Sequence, residues 1–208
     1  MSIRSSGQTK RVRLSPEQRR LQLITLGADM LADRSLEEIS VDDIAKLAGI
    51  SRGLLFHYFA SKQEFHEAIA RHVIEDFYLA IAPNRDLSLF DMLRDSIERY
   101  VDYVAEHSGS YRSVLRGPAS VTPEVSGYVD SARALIADLI VGELPLPPAD
   151  PDLARLTLAI RGWIAFVEET ILIWILEKPI ARADLVDLLV ESLPALALSP
   201  ALINALRG

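Results

Sequence analysis

The chain predicts an all-α fold of about nine helices: an N-terminal three-helix helix-turn-helix unit followed by a larger helical body. Three observations carry this. Apolar residues recur three and four positions apart over most segments. No segment shows the apolar–polar alternation of a half-buried strand. Helix caps and breakers punctuate the chain from end to end, with no internal repeat.

Residues 1–14 read as a flexible basic arm. Ser15-Pro16-Glu17-Gln18 starts the first helix, with serine as cap, proline at the first helical position and glutamine at the capping-box position. That helix runs to about Asp33, with Leu21, Ile24, Leu26, Ala28, Leu31 and Ala32 on its apolar face. Ser35–Glu38 makes a turn, and Ser40 caps the second helix. Within Val41–Ala48, Ile44, Ala45, Leu47 and Ala48 share one face. Gly49 closes the helix in a conformation that costs a glycine little. Ser51 caps a short third helix, about Arg52–Tyr58. Ser61-Lys62-Gln63-Glu64 is a second capping box. It opens a fourth helix through Phe65, Ile69, Val73, Ile74 and Phe77 to about Ala82, roughly 30 Å at ~1.5 Å per residue.

The body continues in the same manner. Leu87–Glu106 carries Leu89, Phe90, Leu93, Ile97, Tyr100, Val101 and Val104 at nearly helical spacing. Ser108-Gly109-Ser110 is expected to break it before a short helix, Tyr111–Leu115, which Gly117-Pro118 ends. Thr122-Pro123-Glu124 starts a helix to about Val141. Residues 142–151 hold four prolines and read as a loop, and Asp150-Pro151 caps a helix through Leu176, with Pro179 beyond its end. A last helix covers about Arg182–Leu196. Arg161, Glu168 and Glu169 interrupt the apolar Leu153–Leu176 segment, so it lacks the charge-free run of ~18 residues that a membrane span needs. An apolar helix of this kind is buried in a core or an interface.

Composition narrows the function. Half of the 208 residues are apolar, enough for a substantial core, and there is no cysteine. Disulfides, thiolate metal sites and cysteine nucleophiles are therefore excluded. The N-terminus lacks the apolar stretch of a secretory signal, and a cytoplasmic protein is expected. The net charge of −7 is unevenly spread. Residues 1–62 carry ten Lys/Arg against seven Asp/Glu, and residues 63–208 twelve against twenty-two. A basic head on an acidic body suits a protein that meets phosphates at one end.

The segment Val41–Phe65, VDDIAKLAGISRGLLFHYFASKQEF, is the helix-turn-helix pattern: two short helices joined by a glycine-containing turn, the second able to enter a major groove of double-stranded DNA. Arg52 has the reach for a guanine edge or a phosphate, Leu54 for a thymine methyl, and His57 and Tyr58 for base or phosphate. Lys62, at the positive end of the fourth helix, is a phosphate candidate. Leu55, Phe56 and Phe59 read as core.

Ile44–Lys62, IAKLAGISRGLLFHYFASK, resembles the TetR family of bacterial transcriptional regulators. The shared residues include Ala45, Ala48-Gly49, Ser51, Gly53, Leu55, Phe59, Ser61 and Lys62. The match extends into the HYF-x-SK ending and lies near the N-terminus of a chain of about the family's length. Leu54 stands where a threonine is frequent and Phe56 where a tyrosine is frequent, each exchange removing a hydroxyl. The resemblance implies DNA contacts at Ser51, Gly53, His57, Tyr58 and Lys62. It implies a homodimer, a palindromic operator and a small-molecule pocket in the body, with domains at 15–61 and 62–208.

For that pocket the candidates are Tyr100, Tyr103, His107 and Tyr111, clustered around one helix end, and Trp163, Phe166, Glu169 and Thr170 on the apolar helix. Trp163, Phe166, Val167, Thr170 and Trp174 are read as one broad side, with Arg161 and Glu168 nearly opposite. The same stripe reads equally as core or dimer packing. Helices 153–176 and 182–196 of two subunits would form a four-helix interface, with Leu172, Ile175, Leu185, Leu188 and Leu189 expected in it. An apolar pocket with few polar anchors favours a lipophilic effector. No zinc-binding His-Glu-x-x-His pattern, nucleophile elbow or phosphate-cradling glycine loop occurs, so neither catalysis nor a cofactor or metal is expected. A dimeric repressor released from its operator by that effector is expected, with an activator or a partner-controlled regulator as the alternative, since promoter position is not in the sequence. A helical ligand carrier that no longer binds DNA is the rival reading.

Overall fold

The computed structural model describes residues 14–144 and 153–197, which form nine α-helices and two short 3-10 turns without a strand. The helices are α1 (Pro16–Met30), α2 (Val41–Ala48), α3 (Arg52–Tyr58), α4 (Lys62–Ala80), α5 (Leu89–Glu106), α6 (Ser108–Arg116), α7 (Pro123–Glu143), α8 (Leu153–Glu177) and α9 (Arg182–Ala197). The arm, most of the four-proline loop and the Asp150-Pro151 cap lie outside the described residues. Among the described residues no helix is long and apolar enough to cross a membrane.

Side-chain caps set most of the boundaries. Ser15 and Gln18 form a reciprocal box: the Gln18 N–H donates to Ser15 Oγ at 3.1 Å, and the Ser15 N–H to Gln18 Oε1 at 2.9 Å. Ser40 and Ser51 accept from the N–H groups of Asp43 and Leu54. Gly49 ends α2 at φ 65°, in the left-handed region. Before α4, Ser61 accepts from Glu64, but the Glu64 carboxylate reaches back to the Ala60 N–H at 2.6 Å rather than to that of Ser61. Pro194 sits inside α9, where it leaves one turn without its usual donor.

Two expected boundaries move. α1 stops at Met30, and residues 31–34 turn. α6 begins at Ser108 instead of Tyr111, so Ser108-Gly109-Ser110 forms its first turn, and α5 and α6 meet at His107. Gly109 is there for contact and does not act as a breaker. A Cβ at this position would overlap the Ala32 carbonyl, so its absence lets α6 lie against the chain leaving α1.

Two apolar cores result, and α4 belongs to both. The first gathers Leu23, Leu31, Leu36, Ile44, Leu55, Phe59, Phe65 and Ile69 and also takes Val114, Val125 and Val129 from α6 and α7. The second gathers Phe77, Val101, Val104, Ile160, Trp163, Val167, Ile171, Leu185 and Leu189. Each fully buried aliphatic or aromatic side chain contributes about 1.5–3 kcal/mol. A buried hydrogen bond joins the N-terminal unit to the body, from the Leu36 N–H to Ser113 Oγ at 3.2 Å.

Gly109→Ala should lower the melting temperature more than Gly27→Ala. The added methyl at Gly27 meets the flexible end of Ile69, whereas at Gly109 it meets backbone. Overpacking of about 1–3 kcal/mol is expected at Gly27, and more at Gly109. Equal shifts in thermal unfolding would contradict the close approach of α6.

His66 predicts a pH effect. Its Nε2 lies 3.0 Å from the Ile39 carbonyl oxygen, and burial lowers its pKa, with Lys62 adding to the fall and the Ile39 bond and Glu37 opposing it. The unfolded chain therefore binds this proton more readily than the folded one. The associated stability is complete above the free-histidine value of about 6.5 and is lost as pH falls through the lowered value. His66→Gln, which keeps a donor for Ile39, should flatten the decline of melting temperature in that window.

Candidate nucleic-acid interface and internal cavity

α3 is held by one face and offers the other. Leu55 and Phe59 are 0% and 1% exposed and anchor it in the first core. Ser51, Arg52, Gly53, Leu54 and His57 are exposed, as is Lys62 at the first turn of α4, and Tyr58 is half-buried. Ser51 Oγ is committed as the helix cap, with its O–H still able to donate. Phe56 corrects the expectation: it is 36% exposed, not core, and carries the Arg52 guanidinium 5.6 Å from its ring centre. The i,i+4 spacing from Arg52 is the signal for this, because Phe56 lies about 100° around the helix from Leu55.

The charges on this surface are partly engaged. Arg52 Nη1 donates to Asp42 Oδ2 at 3.0 Å across the α2–α3 turn. Lys62 Nζ donates to the Glu37 carbonyl oxygen at 3.0 Å, leaving its charge without a carboxylate partner in that bond. Residues 14–62 carry six Lys/Arg against seven Asp/Glu, so the positive excess of the head comes from Arg4, Lys10, Arg11 and Arg13.

The body encloses a cavity of about 740 Å³, well within the range of ligand pockets. Its walls are the end of α4 (Phe77, Ile81), one side of α5 (Leu93, Ile97, Tyr100), the second half of α7 (Ile136, Ile140) and the first half of α8 (Leu156, Ile160, Trp163). Along α8 it extends from Leu156 to Glu168, about 18 Å at ~1.5 Å per residue. Exposed or half-buried residues, among them Phe90, Glu143, Leu144 and Glu191, surround the outer end. At the inner end the Tyr100 and Tyr111 hydroxyls are hydrogen-bonded to each other. Burial holds both phenols well above their ordinary pKa, so both stay neutral.

Glu168 lies beside these phenols at 7% exposure. Arg133 of α7 grips its carboxylate through Nε, 3.0 and 3.2 Å from the two oxygens, and through Nη2 at 2.7 Å. This bidentate bond raises the Arg133 pKa, and Asp130 assists. Glu168 is therefore buried together with Ile164, Val167 and Ile171 and not on a solvent side opposite Val167 as expected, whereas Arg161, two turns earlier on α8, is exposed.

Of the expected cavity residues, Tyr100 and Trp163 line it. Tyr111 stands behind Tyr100. Tyr103 turns toward α4, donating to Asp76 Oδ2 at 3.2 Å, and stacks on His107. Phe166 and Glu169 are exposed, Glu169 pairing with Arg116 at 2.6 Å, and Thr170 is half-buried. α8 is apolar nearly all round, so sequence spacing gave no firm phase for its inner side.

The expected dimer residues divide similarly. Leu185 and Leu189 are 1% and 0% exposed within the chain's own core, and Leu172 and Ile175 are half-buried against it. Trp163 Nε1 donates to the Leu189 carbonyl oxygen and Ser192 Oγ, which fixes that side of α9 inward. Leu188 is exposed, as are Leu158, Phe166, Ile173 and Leu176 of α8 and Leu196 of α9. No group of His, Asp and Glu suited to a metal ion occurs among the described residues.

Residues 23–69 match the bacterial regulatory proteins of the tetR family, and residues 89–196, more than half of the chain, match the tetracyclin repressor-like C-terminal domain. The crystal structure of a TetR-family transcriptional regulator from Streptomyces coelicolor superposes with a TM-score of 0.79 at 33% identity, covering 93% of this chain and 89% of its own. The HTH-type transcriptional activator FasR of Mycolicibacterium smegmatis is 25% identical over 138 residues, 65% of this chain and 63% of FasR. The HTH-type transcriptional repressor KstR2 of Mycobacterium tuberculosis is 42% identical over 117 residues, 56% of this chain and 52% of KstR2. The chain thus spans less than two thirds of the length of these two curated relatives. With a reader helix presented as above and matches across both halves, the chain belongs to the TetR family of bacterial regulatory proteins.

Proposed function

We propose that this protein is a homodimeric repressor that binds a palindromic operator and releases it when a small lipophilic molecule fills the cavity. The observation that carries the reading is α3, anchored through Leu55 and Phe59 with its polar side turned outward. Ser51, Arg52, Gly53, Leu54, His57, Tyr58 and Lys62 are the assigned contacts, and Phe56 joins them. Two reader helices would sit in successive major grooves with half-site centres ~34–36 Å apart. The exposed face of α8 and α9, centred on Phe166, Ile173 and Leu188, is the proposed contact between subunits. The protein then works where its DNA is, in the cytoplasm, and needs no catalytic group.

Coupling would run through α4 and α6. α4 reaches from Lys62 beside the reader to Phe77 in the cavity wall, and α6 joins Tyr111 at the inner end to Ser113 beneath Leu36. A ligand that favours one arrangement of these helices by ~1–3 kcal/mol would change operator affinity about 5–150-fold. FasR keeps an activating sign as the alternative. Deleting the gene and measuring transcripts beside the recovered operator decides it: repression requires them to rise.

Selection of bound duplexes from a random pool should recover a palindrome, and recovery of no preferred sequence would overturn the reading. On that operator, Arg52→Ala should cost about 1–3 kcal/mol and relax specificity at one base pair. Lys62→Ala should weaken all sequences alike and reduce the salt slope by about one. An unchanged slope would remove Lys62 from the phosphate contacts.

Ile173→Glu should give a folded monomer by sedimentation and abolish tight operator binding, since the side chain is exposed within the chain. A dimer that survives both this change and Leu188→Glu would move the interface elsewhere.

A further inference from the structure

The lining residues carry charge of one sign only. Glu143, Glu168 and Glu191 border the cavity, and no lysine, arginine or histidine does among the described residues. Building on the reading that this cavity takes a lipophilic effector, we propose that the effector's buried polar end is a hydrogen-bond donor without negative charge, an amine or an alcohol, and that Glu168 selects it.

The inner end is built for this. Arg133 approaches Glu168 from α7 and is no part of the main cavity's lining. The ion pair is therefore seen from the cavity by its negative side. Glu168 Oε1 accepts only from Arg133 Nε and keeps capacity for a second donor, whereas Oε2 already accepts from both Nε and Nη2. The neutral phenol of Tyr100 stands beside it as a further partner. A donor head arriving here meets acceptors in a space walled by Phe77, Ile136, Trp163 and Val167.

An anionic head meets the opposite. Its charge would leave water, face a carboxylate across a low-dielectric space and find no cation to pair with, the situation most costly for a buried ion. The outer end is less selective: Glu143 is already paired with Arg85, Arg85 Nε donating at 2.8 Å, and Glu191, also in the lining, is exposed. A carboxylate or phosphate is thus disfavoured chiefly at the inner end, while the apolar body of the ligand is accepted along the walls.

Three probes with one chain and three heads separate these possibilities: dodecylamine, dodecanol and dodecanoate, each kept below its micelle-forming concentration. The full chain is titrated with each by calorimetry, with Trp163 emission as a second readout. The amine and the alcohol should bind, and the carboxylate should bind about tenfold or more weakly, equal to ~1.4 kcal/mol. Glu168→Gln should erase most of the amine's advantage over the alcohol while leaving alcohol binding within about threefold, a difference under ~0.7 kcal/mol. Removing Glu168 alone strands Arg133, so the paired replacement Arg133→Met/Glu168→Met repeats the test in a packed apolar setting. It should narrow the gap between amine and carboxylate.

Tightest binding of dodecanoate would overturn the charge assignment and leave the lipophilic cavity standing. An amine preference unchanged in both variants would overturn the role of Glu168. Failure of all three probes to bind would remove the lipophilic-effector reading itself, and this inference with it.

Discussion

α4 is buried at both ends in different cores, and most of the architecture follows from that constraint. Phe65, Ile69 and Val73 lock its first half against α1 and the reader, while Phe77 is packed among Tyr100, Tyr103 and Tyr111 in the body. A continuous helix of 19 residues cannot absorb a displacement at one end by bending softly, because its interior hydrogen bonds and two close-packed seats resist it. Under the proposed release, motion at Phe77 would reach Phe65 as a shift or a tilt. The unit at the N-terminus is not an independent bead on a string.

α6 closes a second path beside it. Gly109 touches the backbone leaving α1, Ser113 holds the Leu36 amide, and Tyr111 ends on Tyr100 at the cavity. Three positions within five residues thus bind three parts of the molecule. The first core extends into the body through Val114, Val125 and Val129, so these contacts rest on shared burial and not on surface bonds alone. Two packed routes thus lead from the surroundings of Tyr100 to the N-terminal unit, one along α4 to Phe65 and one through α6 to Leu36.

The parts of the fold set by local chemistry were legible in the sequence. Serine caps, prolines at first turns and Gly49 fix where helices begin and end, and α3 spans Arg52–Tyr58 as its cap and spacing require. What escaped was set by tertiary contact. Gly109 reads as a breaker until the Ala32 carbonyl beside it is known. Glu168 and Glu169 are neighbours in sequence, but about 100° of helical rotation puts one against Arg133 and the other in solvent with Arg116. α8 has apolar residues on nearly every side, so its pattern does not separate cavity, core and outer face. Leu185 and Leu189 were drawn inward by Trp163, whose indole N–H needed their side of α9 for a partner.

At the DNA contact proposed for Arg52, its bond to Asp42 has a consequence. A cation already matched by its own carboxylate brings little net charge to the phosphate field and displaces few ions when it docks. Away from its site, Arg52 thus adds little to general adhesion. It gains most where a base edge or backbone oxygen offers a geometry better than the one Asp42 supplies, since a planar guanidinium rewards bidentate alignment more than proximity. In the proposed contact the pair would turn one arginine from a tether into a comparator, its contribution growing only in register.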